Sequence, residues 1–142
     1  MKKYLSLFLL FVSFFSFSQK FDKKISELIS GYENQVIELR HWFHENAELS
    51  NREFKTSERI ADELRKIGFD PQIGVAKTGV VALLKGGKPG PVVALRADID
   101  GLPVKERADL SWASKMTGEY NGDIVPVMPV SYTHLRAHET FA

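Results

Sequence analysis

The sequence predicts a layered α/β fold in which helices cover a buried sheet. Two segments, 22–45 and 50–67, repeat apolar residues at the three- and four-residue steps of a helix face. Two later segments, 79–84 and 91–97, are almost continuously apolar, which is typical of strands covered on both faces. The two helices are the expected cover for those strands. The length of 142 residues allows one domain at most.

The chain begins with the pattern of a secretory signal peptide. Lys2 and Lys3 precede an apolar run from Leu5 to Phe17, and small residues stand three and one positions before Gln19, the expected cleavage point. The run is shorter than the roughly 20 apolar residues that span a bilayer. We therefore expect residues 1–18 to be removed and the protein to be exported, to the periplasm or the medium, with no membrane attachment afterwards.

Charge and composition exclude several classes of function. The segment after the leader carries 17 basic and 18 acidic residues, so there is no electrostatic case for binding nucleic acid or anionic lipid. The chain contains no cysteine. A disulfide scaffold, a cysteine-based zinc site and a thiol nucleophile are therefore excluded for these residues.

The first mature segment predicts one long amphipathic helix from Asp22 to about Glu45. Core packing is the usual reason for such an apolar face, although the same face could bind a partner. The predicted face consists of Ile25, Leu28, Ile29, Tyr32, Val36, Leu39 and Phe43.

A second helix is predicted to begin at Ser50 and to end at Gly68. Ser50 and Glu53 have the spacing of a reciprocal capping box, and a glycine after the last apolar position is a typical helix end. Phe69 should then contact Leu64. The predicted buried face consists of Phe54, Ile60, Ala61, Leu64 and Ile67.

The two apolar runs predict a β-hairpin. After a short extended piece that ends at Ala76, the runs 79–84 and 91–97 are separated by the glycine-rich residues 86–90. A phosphate-binding role for these glycines is disfavoured because the loop leads into no helix N-terminus.

Charged residues follow the second apolar run, where sheet proteins often place functional sites. Asp98 and Asp100 could serve as an acid–base pair, or Asp98 could orient a metal ligand while Arg96 neutralises its charge. The structural alternative is turn formation before Gly101. Turn formation is favoured for Asp100. For Asp98, turn formation and the support of a metal ligand are equally favoured.

Two pairs of histidines have spacings that could place both rings on one helix face. His41 and His44 lack a nearby acidic or cysteine cluster, so a fixed polar contact is the expected role of His44. His134 and His138 are followed by Glu139, whereas a metalloprotease helix needs the glutamate between its histidines. A disordered terminus is the favoured interpretation of the second pair.

Three blocks of sequence together carry a family resemblance. They are R-H-W-F-H-E-N-A-E-L from Arg40 to Leu49, V-V-A-L-R-A-D-I-D-G-L-P-V-K-E from Val92 to Glu106, and A-S-K-M-T-G-E-Y-N-G from Ala113 to Gly122. In order and spacing, from about Ile37 to Met128, they resemble the metal-dependent amidohydrolases of the hippurate-hydrolase and auxin-conjugate-hydrolase type, within the aminoacylase and carboxypeptidase clan. The first block departs from the family at Ala47, where proline is usual.

The resemblance implies a zinc-exopeptidase-like catalytic domain of mixed sheet covered by helices. It also implies two divalent metal ions, zinc or manganese, and an inserted domain that closes the cleft and often pairs subunits. Such enzymes hydrolyse the amide bond of N-acyl amino acids or related conjugates and peptides. In related clan members a His-x-Asp motif near this strand end supplies metal contacts, and Arg96 stands in the histidine position. The resemblance therefore favours a supporting role for Asp98 over direct metal binding.

Every recognisable family feature ends at Met128, where the family continues into a His-Ala-Cys-Gly-His-Asp-Thr-His metal-binding segment. We therefore expect residues 19–128 to be the N-terminal part of a catalytic domain, truncated before its metal site, with no complete catalytic or metal-binding set. Residues 129–142 do not follow the family and resemble adapter-derived translations, so we expect an artefactual, disordered tail.

We therefore predict that the protein is an enzyme by family and that the present chain is inactive. The rival interpretation is a small secreted module without catalysis that docks a partner through a sheet edge or through its first helix.

Overall fold

The structure is a computed structural model that describes the backbone of residues 2–129 and 136–138 and the side chains of residues 22–129. Its helices are α1, Lys2–Glu45, and α2, Phe54–Lys66. Its strands are β1, Gln72–Val75; β2, Gly79–Val81; β3, Ala94–Arg96; β4, Gly101–Leu102; β5, Thr117–Tyr120; β6, Asp123–Pro126; β7, Met128–Pro129; and β8, Arg136–His138. The predicted combination of helices and strands is confirmed, and the described strands form four two-stranded antiparallel sheets.

The chain divides into two compact units, Met1–Leu39 and Arg40–Ala142. The described part of the first unit is a single helix, the N-terminal part of α1. Its predicted apolar face is exposed at Ile25, Leu28, Ile29, Tyr32 and Val36, with exposed fractions of 49–63%. The helical spacing was therefore interpreted correctly, but the predicted burial is wrong for these five residues, because the described part of the unit contains no second element to pack against. Leu39 and Phe43, at the C-terminal end of the same face, are half-buried.

The side chains of the predicted leader, residues 1–18, lie outside the described residues. Among the residues that the structure describes, no helix is both long enough and apolar enough to cross a membrane.

The second unit has its core where loop 46–53 meets β4 and the strands after it. Ala47, Leu49 and Val127 are buried together, with Met116 and Val125 packed against them. Gly101 joins the loop to the sheet, because it bridges to Leu49 and its N–H donates to the Glu48 carbonyl at 2.6 Å. On its other side β4 pairs with β7, Gly101 opposite Pro129.

Helix α2 ends as predicted but begins differently. Gly68 has φ of +91°, its N–H donates to the Arg65 carbonyl at 3.0 Å, and the Phe69 N–H donates to the Leu64 carbonyl at 3.0 Å, which is a Schellman motif. The predicted capping box is wrong, since Glu53 occupies the N-cap position without a side-chain cap. The cap comes instead from Glu48, whose carboxylate accepts the Thr56 N–H at 2.8 Å and the Lys55 N–H at 3.3 Å.

Only part of the predicted buried face of α2 is buried. Ala61 is fully buried and Leu64 and Ile60 are half-buried, whereas Phe54 and Ile67 are 58% and 62% exposed. The helix packs on β1 and β2. A two-stranded sheet is narrower than the apolar face, so the two ends of the face extend beyond it.

The predicted hairpin between the apolar runs is wrong in its pairing. β2 pairs with β1 in an antiparallel hairpin, Gln72 opposite Val81, and β3 pairs with β8, Ala94 opposite His138. The turn between β1 and β2 is tight, with positive φ at Ala76 and Lys77. A short turn costs less loop-closure entropy than the longer glycine-rich loop, which favours pairing with the nearer strand.

The sequence analysis did not predict the hairpin of β5 and β6. Asn121 and Gly122 both have positive φ, 54° and 90°, as the two central residues of a type I′ turn require. An Asn-Gly pair between short strands is a strong hairpin signal, so this element could have been found from the sequence.

Candidate functional site

The two residues selected from the sequence for a possible site, Arg96 and Asp98, lie together in the structure. Arg96 Nη2 donates to Asp98 Oδ1 at 3.0 Å just after β3. The pair is open to solvent, with 75% of the Arg96 side chain and 49% of the Asp98 side chain exposed. The structure therefore brings the predicted pair into contact, and the role of Asp98 in supporting a metal ligand stays a prediction.

A more enclosed group lies at the C-terminal end of α1, and we call it the histidine cluster: Arg40, His41, His44, Glu106 and Trp112. Its centre is a hydrogen bond of 2.6 Å between His44 Nε2 and Glu106 Oε2, with only 21% and 11% of these side chains exposed. The fixed polar contact expected for His44 is thus formed. Glu106 is its partner.

Trp112 holds the imidazoles of the histidine cluster from one side. The His41 ring stacks on Trp112 with ring centroids 4.5 Å apart, and the His44 ring meets Trp112 edge-on at 4.8 Å. The Arg40 guanidinium lies 5.2 Å from the centroid of the same indole. These contacts fix the orientation of both rings and leave His44 Nε2 directed at the carboxylate.

The electrostatics of the histidine cluster favour an ionised Glu106. The hydrogen bond from His44 lowers the pKa of Glu106 below its usual value, and burial opposes this shift. The Ala108 N–H adds a donor at 3.2 Å. A carboxylate only accepts hydrogen bonds, so the proton in the short contact is carried by His44 Nε2.

A second polar network is buried between α2 and the turn that leads into β2. Thr78 Oγ1 donates to the Glu53 carboxylate at 2.6 Å, and Ser57 Oγ donates to the carbonyls of Glu53, at 2.7 Å, and of Thr78. All three residues are nearly inaccessible to solvent. Each side chain is occupied by its neighbours, so this network ties the helix to the hairpin.

The described residues do not fit a dinuclear metal centre. Within residues 22–129, where side chains are described, no group of three His, Asp or Glu side chains is placed to hold a metal ion. His44 and Asp98 are engaged with Glu106 and Arg96. His134, Glu139 and the side chain of His138 lie outside the described residues.

Sequence reasoning missed Glu106, Trp112 and Glu48. His44 and Glu106 are 62 positions apart, and no spacing rule joins them. The available signal was that the first two resemblance blocks contain them, His44 within the first block and Glu106 at the end of the second. Glu48 caps α2 from within loop 46–53, and its separation of 8 positions from Thr56 is beyond the reach of any local cap pattern.

No protein-family model matches the chain. Individual proteins, however, match part of it. The chain is 43% identical to thermostable carboxypeptidase 2 of Saccharolobus solfataricus over 97 residues, which are 68% of this chain and 25% of that protein. It is 40% identical to the hippurate hydrolase of Campylobacter jejuni over 83 residues, 58% of this chain and 22% of that protein.

A solved structure agrees with these relatives. The chain resembles a dinuclear metal-binding peptidase of the M20 family from Bacillus subtilis, with a TM-score of 0.60 and 35% sequence identity, over 70% of this chain and 26% of that one. The chain thus spans about a quarter of the length of the relatives that it matches.

The helices, small sheets and matched sequence together resemble a segment of a metal-dependent amidohydrolase or peptidase domain. The relatives are M20 family amidohydrolases and peptidases, and they include carboxypeptidases, hippurate hydrolase and amino-acid-conjugate hydrolases. The family resemblance and the enzyme class predicted from the three sequence blocks are confirmed.

Proposed function

We propose that this chain supplies the N-terminal part of the catalytic domain of an exported metal-dependent amidohydrolase. The substrates would be N-acyl amino acids or related conjugates and peptides, cleaved at the amide bond. The observation that carries this proposal is that relatives of 40–43% identity over the matched segment are named as hydrolases of such bonds: hippurate hydrolase, N-acetylcysteine deacetylase and carboxypeptidase.

In this proposal the present residues act as scaffold. The histidine cluster fixes the end of α1 against the segment after β4, and the pair Arg96–Asp98 stands at the end of β3. The family's two divalent ions, zinc or manganese, supply a polarised water and stabilise the developing oxyanion when bound. Their ligands would come from other parts of the enzyme, so the chain by itself would be inactive. Pairing of subunits would use the inserted domain of the family.

A chimaera tests the enzymatic proposal. Residues 37–128 replace the matched segment of the Campylobacter jejuni hippurate hydrolase, and hydrolysis of hippurate is measured with zinc and with manganese. The parent enzyme lacking that segment is the control. We expect the chimaera to be folded and to hydrolyse hippurate, and the deletion control to be inactive. A chimaera that is folded by circular dichroism and thermal unfolding but shows no hydrolysis contradicts the proposal.

Export is tested separately with the leader. Residues 1–21 are fused to an alkaline phosphatase that is active only outside the cytoplasm, and the matched control carries Leu9→Arg and Val12→Arg in the apolar run. We expect the fusion with the unchanged leader to be active and to be shortened by proteolysis, and the fusion with the two arginines to be inactive. Equal activity of the two fusions, or none in either, contradicts export through this leader.

A further inference from the structure

The tip of the β5–β6 hairpin is a two-residue turn made of Asn121 and Gly122. Both residues are exposed, and the ladder closes below them with Tyr120 opposite Asp123. A Cβ atom built on Gly122 would meet no other atom within 4 Å. Water therefore reaches the backbone and the side-chain amide of this turn freely.

An asparagine followed by glycine can lose its side-chain amide without any catalyst, because glycine has no side chain to hinder its own backbone nitrogen. The Gly122 nitrogen bonds to Asn121 Cγ, the Cγ–Nδ2 bond breaks, and ammonia leaves with the proton of the Gly122 N–H. Water then opens the resulting five-membered imide. Attack at Cγ gives aspartate, and attack at the backbone carbonyl carbon of residue 121 gives isoaspartate, so water is the one co-reactant.

The conformation of the turn keeps the reacting atoms apart. Asn121 and Gly122 have φ of 54° and 90°. These angles match a type I′ turn, in which the first central residue has ψ of about +30°. At that ψ the Cβ of Asn121 and the nitrogen of Gly122 lie nearly opposite each other about the Cα–C bond. The Gly122 nitrogen therefore reaches Cγ only after the turn has opened.

We propose that Asn121 is a site of spontaneous deamidation that the β5–β6 hairpin gates: the site is protected while the turn is closed and reacts when the hairpin opens. Two contacts hold the hairpin closed from its other end. The Val127 N–H donates to the Met116 carbonyl at 2.9 Å, and the buried Leu49 side chain lies against Gly118. The proposal does not depend on the enzymatic function proposed above.

The two products differ in what they do to the hairpin. Aspartate adopts the left-handed backbone nearly as easily as asparagine does, so the turn closes again. Isoaspartate adds one carbon atom to the main chain, and a two-residue turn with this insertion no longer matches the register of β5 and β6. Val125 and Val127 then lose their fixed places beside Leu49 in the core. Isoaspartate at position 121 therefore keeps the hairpin open and marks a chain in which it has opened.

The experiment incubates the full chain at neutral pH in buffer and in urea that unfolds it. Peptide mass spectrometry measures the loss of the amide, and an isoaspartyl methyltransferase measures isoaspartate. We expect deamidation of Asn121 to be at least tenfold slower in buffer than in urea, because it requires local opening. Asn51 is an internal control with φ of 61°, and it should stay largely unmodified in both solutions because Arg52 follows it.

Variants distant from the turn test the gate. Val127→Ala removes two methyl groups from the core and should raise the rate in buffer at least fivefold, because it favours opening. Gly87→Ala, where the added atom meets open space, should leave the rate within about twofold. Neither variant should change the rate in urea. If Val127→Ala does not fold, its rate in buffer should equal its rate in urea.

The products are compared by urea unfolding. Asn121→Asp should unfold at the midpoint of the natural chain, and the purified isoaspartate form should unfold at a lower one. The proposal is overturned by equal rates at Asn121 in buffer and in urea, by equal effects of Val127→Ala and Gly87→Ala in buffer, or by an isoaspartate form as stable as Asn121→Asp.

Discussion

His44 Nε2 lies 2.6 Å from Glu106 Oε2, and this contact joins the end of α1 to the segment after β4 across 62 positions of sequence. Trp112 closes the contact from the side through its edge-on packing with His44. The enclosure matters because a charge-assisted hydrogen bond is stronger when water is largely excluded from it. The pair therefore links two of the three sequence blocks that the chain shares in pattern with its family.

Stability of this region should depend on pH through Glu106. Its pKa is lowered in the folded chain relative to the usual 4.5, so its stabilising contribution is present above pH 4.5 and is lost as the pH falls through the lowered value. Glu106→Gln should destabilise the region by about 1–2 kcal/mol at pH 7, and the difference from the natural chain should shrink below pH 4.5.

The measurement for Glu106 is urea unfolding followed by Trp112 fluorescence, in a Trp42→Phe background, between pH 7 and pH 3. Glu119→Gln, at an exposed position in β5, serves as the control and should change the midpoint little at any pH. A difference between the natural chain and Glu106→Gln that stays constant down to pH 3 would show that the His44 contact does not act through an ionised Glu106.

Gly101 is placed where a side chain cannot be accommodated. A Cβ atom there would lie 2.8 Å from Val127 Cγ1, 3.1 Å from the Met128 carbonyl oxygen and 3.2 Å from the Glu48 carbonyl oxygen. Gly101→Ala should therefore destabilise the unit by about 1–3 kcal/mol. Gly87→Ala, with open space around the added atom, should be close to neutral. Thermal unfolding of both variants in the chimaera tests this, and equal midpoints would refute the close packing.

The cap of α2 gives a test in which two sequence positions are compared directly. Glu48→Ala should lower stability by about 1 kcal/mol, because the Thr56 N–H loses its acceptor. Ser50→Ala should have almost no effect, although its spacing from Glu53 predicts a capping box. Chemical unfolding of the chimaera variants decides the matter. A larger loss of stability for Ser50→Ala than for Glu48→Ala would contradict the Glu48 cap and support the capping box.

Asp98 is tested by separating activity from stability. Its exposed ion pair with Arg96 should contribute less than about 0.5 kcal/mol to folding. If Asp98 supports a metal ligand, Asp98→Asn should lower kcat of the chimaera by roughly 10–100-fold while the thermal midpoint stays unchanged. Asp100→Asn is the neighbouring control, for which turn formation is the expected role. Equal, small effects of both variants on kcat would leave Asp98 with a structural role alone.

The sequence predicted local features well where the cause is local. The end of α2 at Gly68 follows from the left-handed backbone that glycine adopts easily, and both helices appear at the predicted apolar spacing. The three blocks also predicted the family. These successes rest on residues within one or two helical turns of each other, or on patterns that a homologous fold imposes.

Predictions failed where a distant segment decides the outcome. The Glu48 carboxylate displaces Ser50 as the cap of α2 because a sharp loop brings it to the helix N-terminus. β2 pairs with β1 because their turn is short, and periodicity alone carries no information about which strand is the neighbour. The burial expected for Leu95 and Val92 depends on covering layers that the sequence pattern implies but the described residues do not provide.

We propose that this chain is the scaffold part of an M20 active site and that the metal ligands lie elsewhere in the enzyme. The metal content of the natural chain and of the chimaera, measured by mass spectrometry after dialysis, tests this proposal. We predict two divalent ions per chimaera, as in the dinuclear M20 peptidase that the chain resembles, and far less than one per natural chain. Stoichiometric metal on the natural chain, or an active chimaera without metal, would contradict the claim.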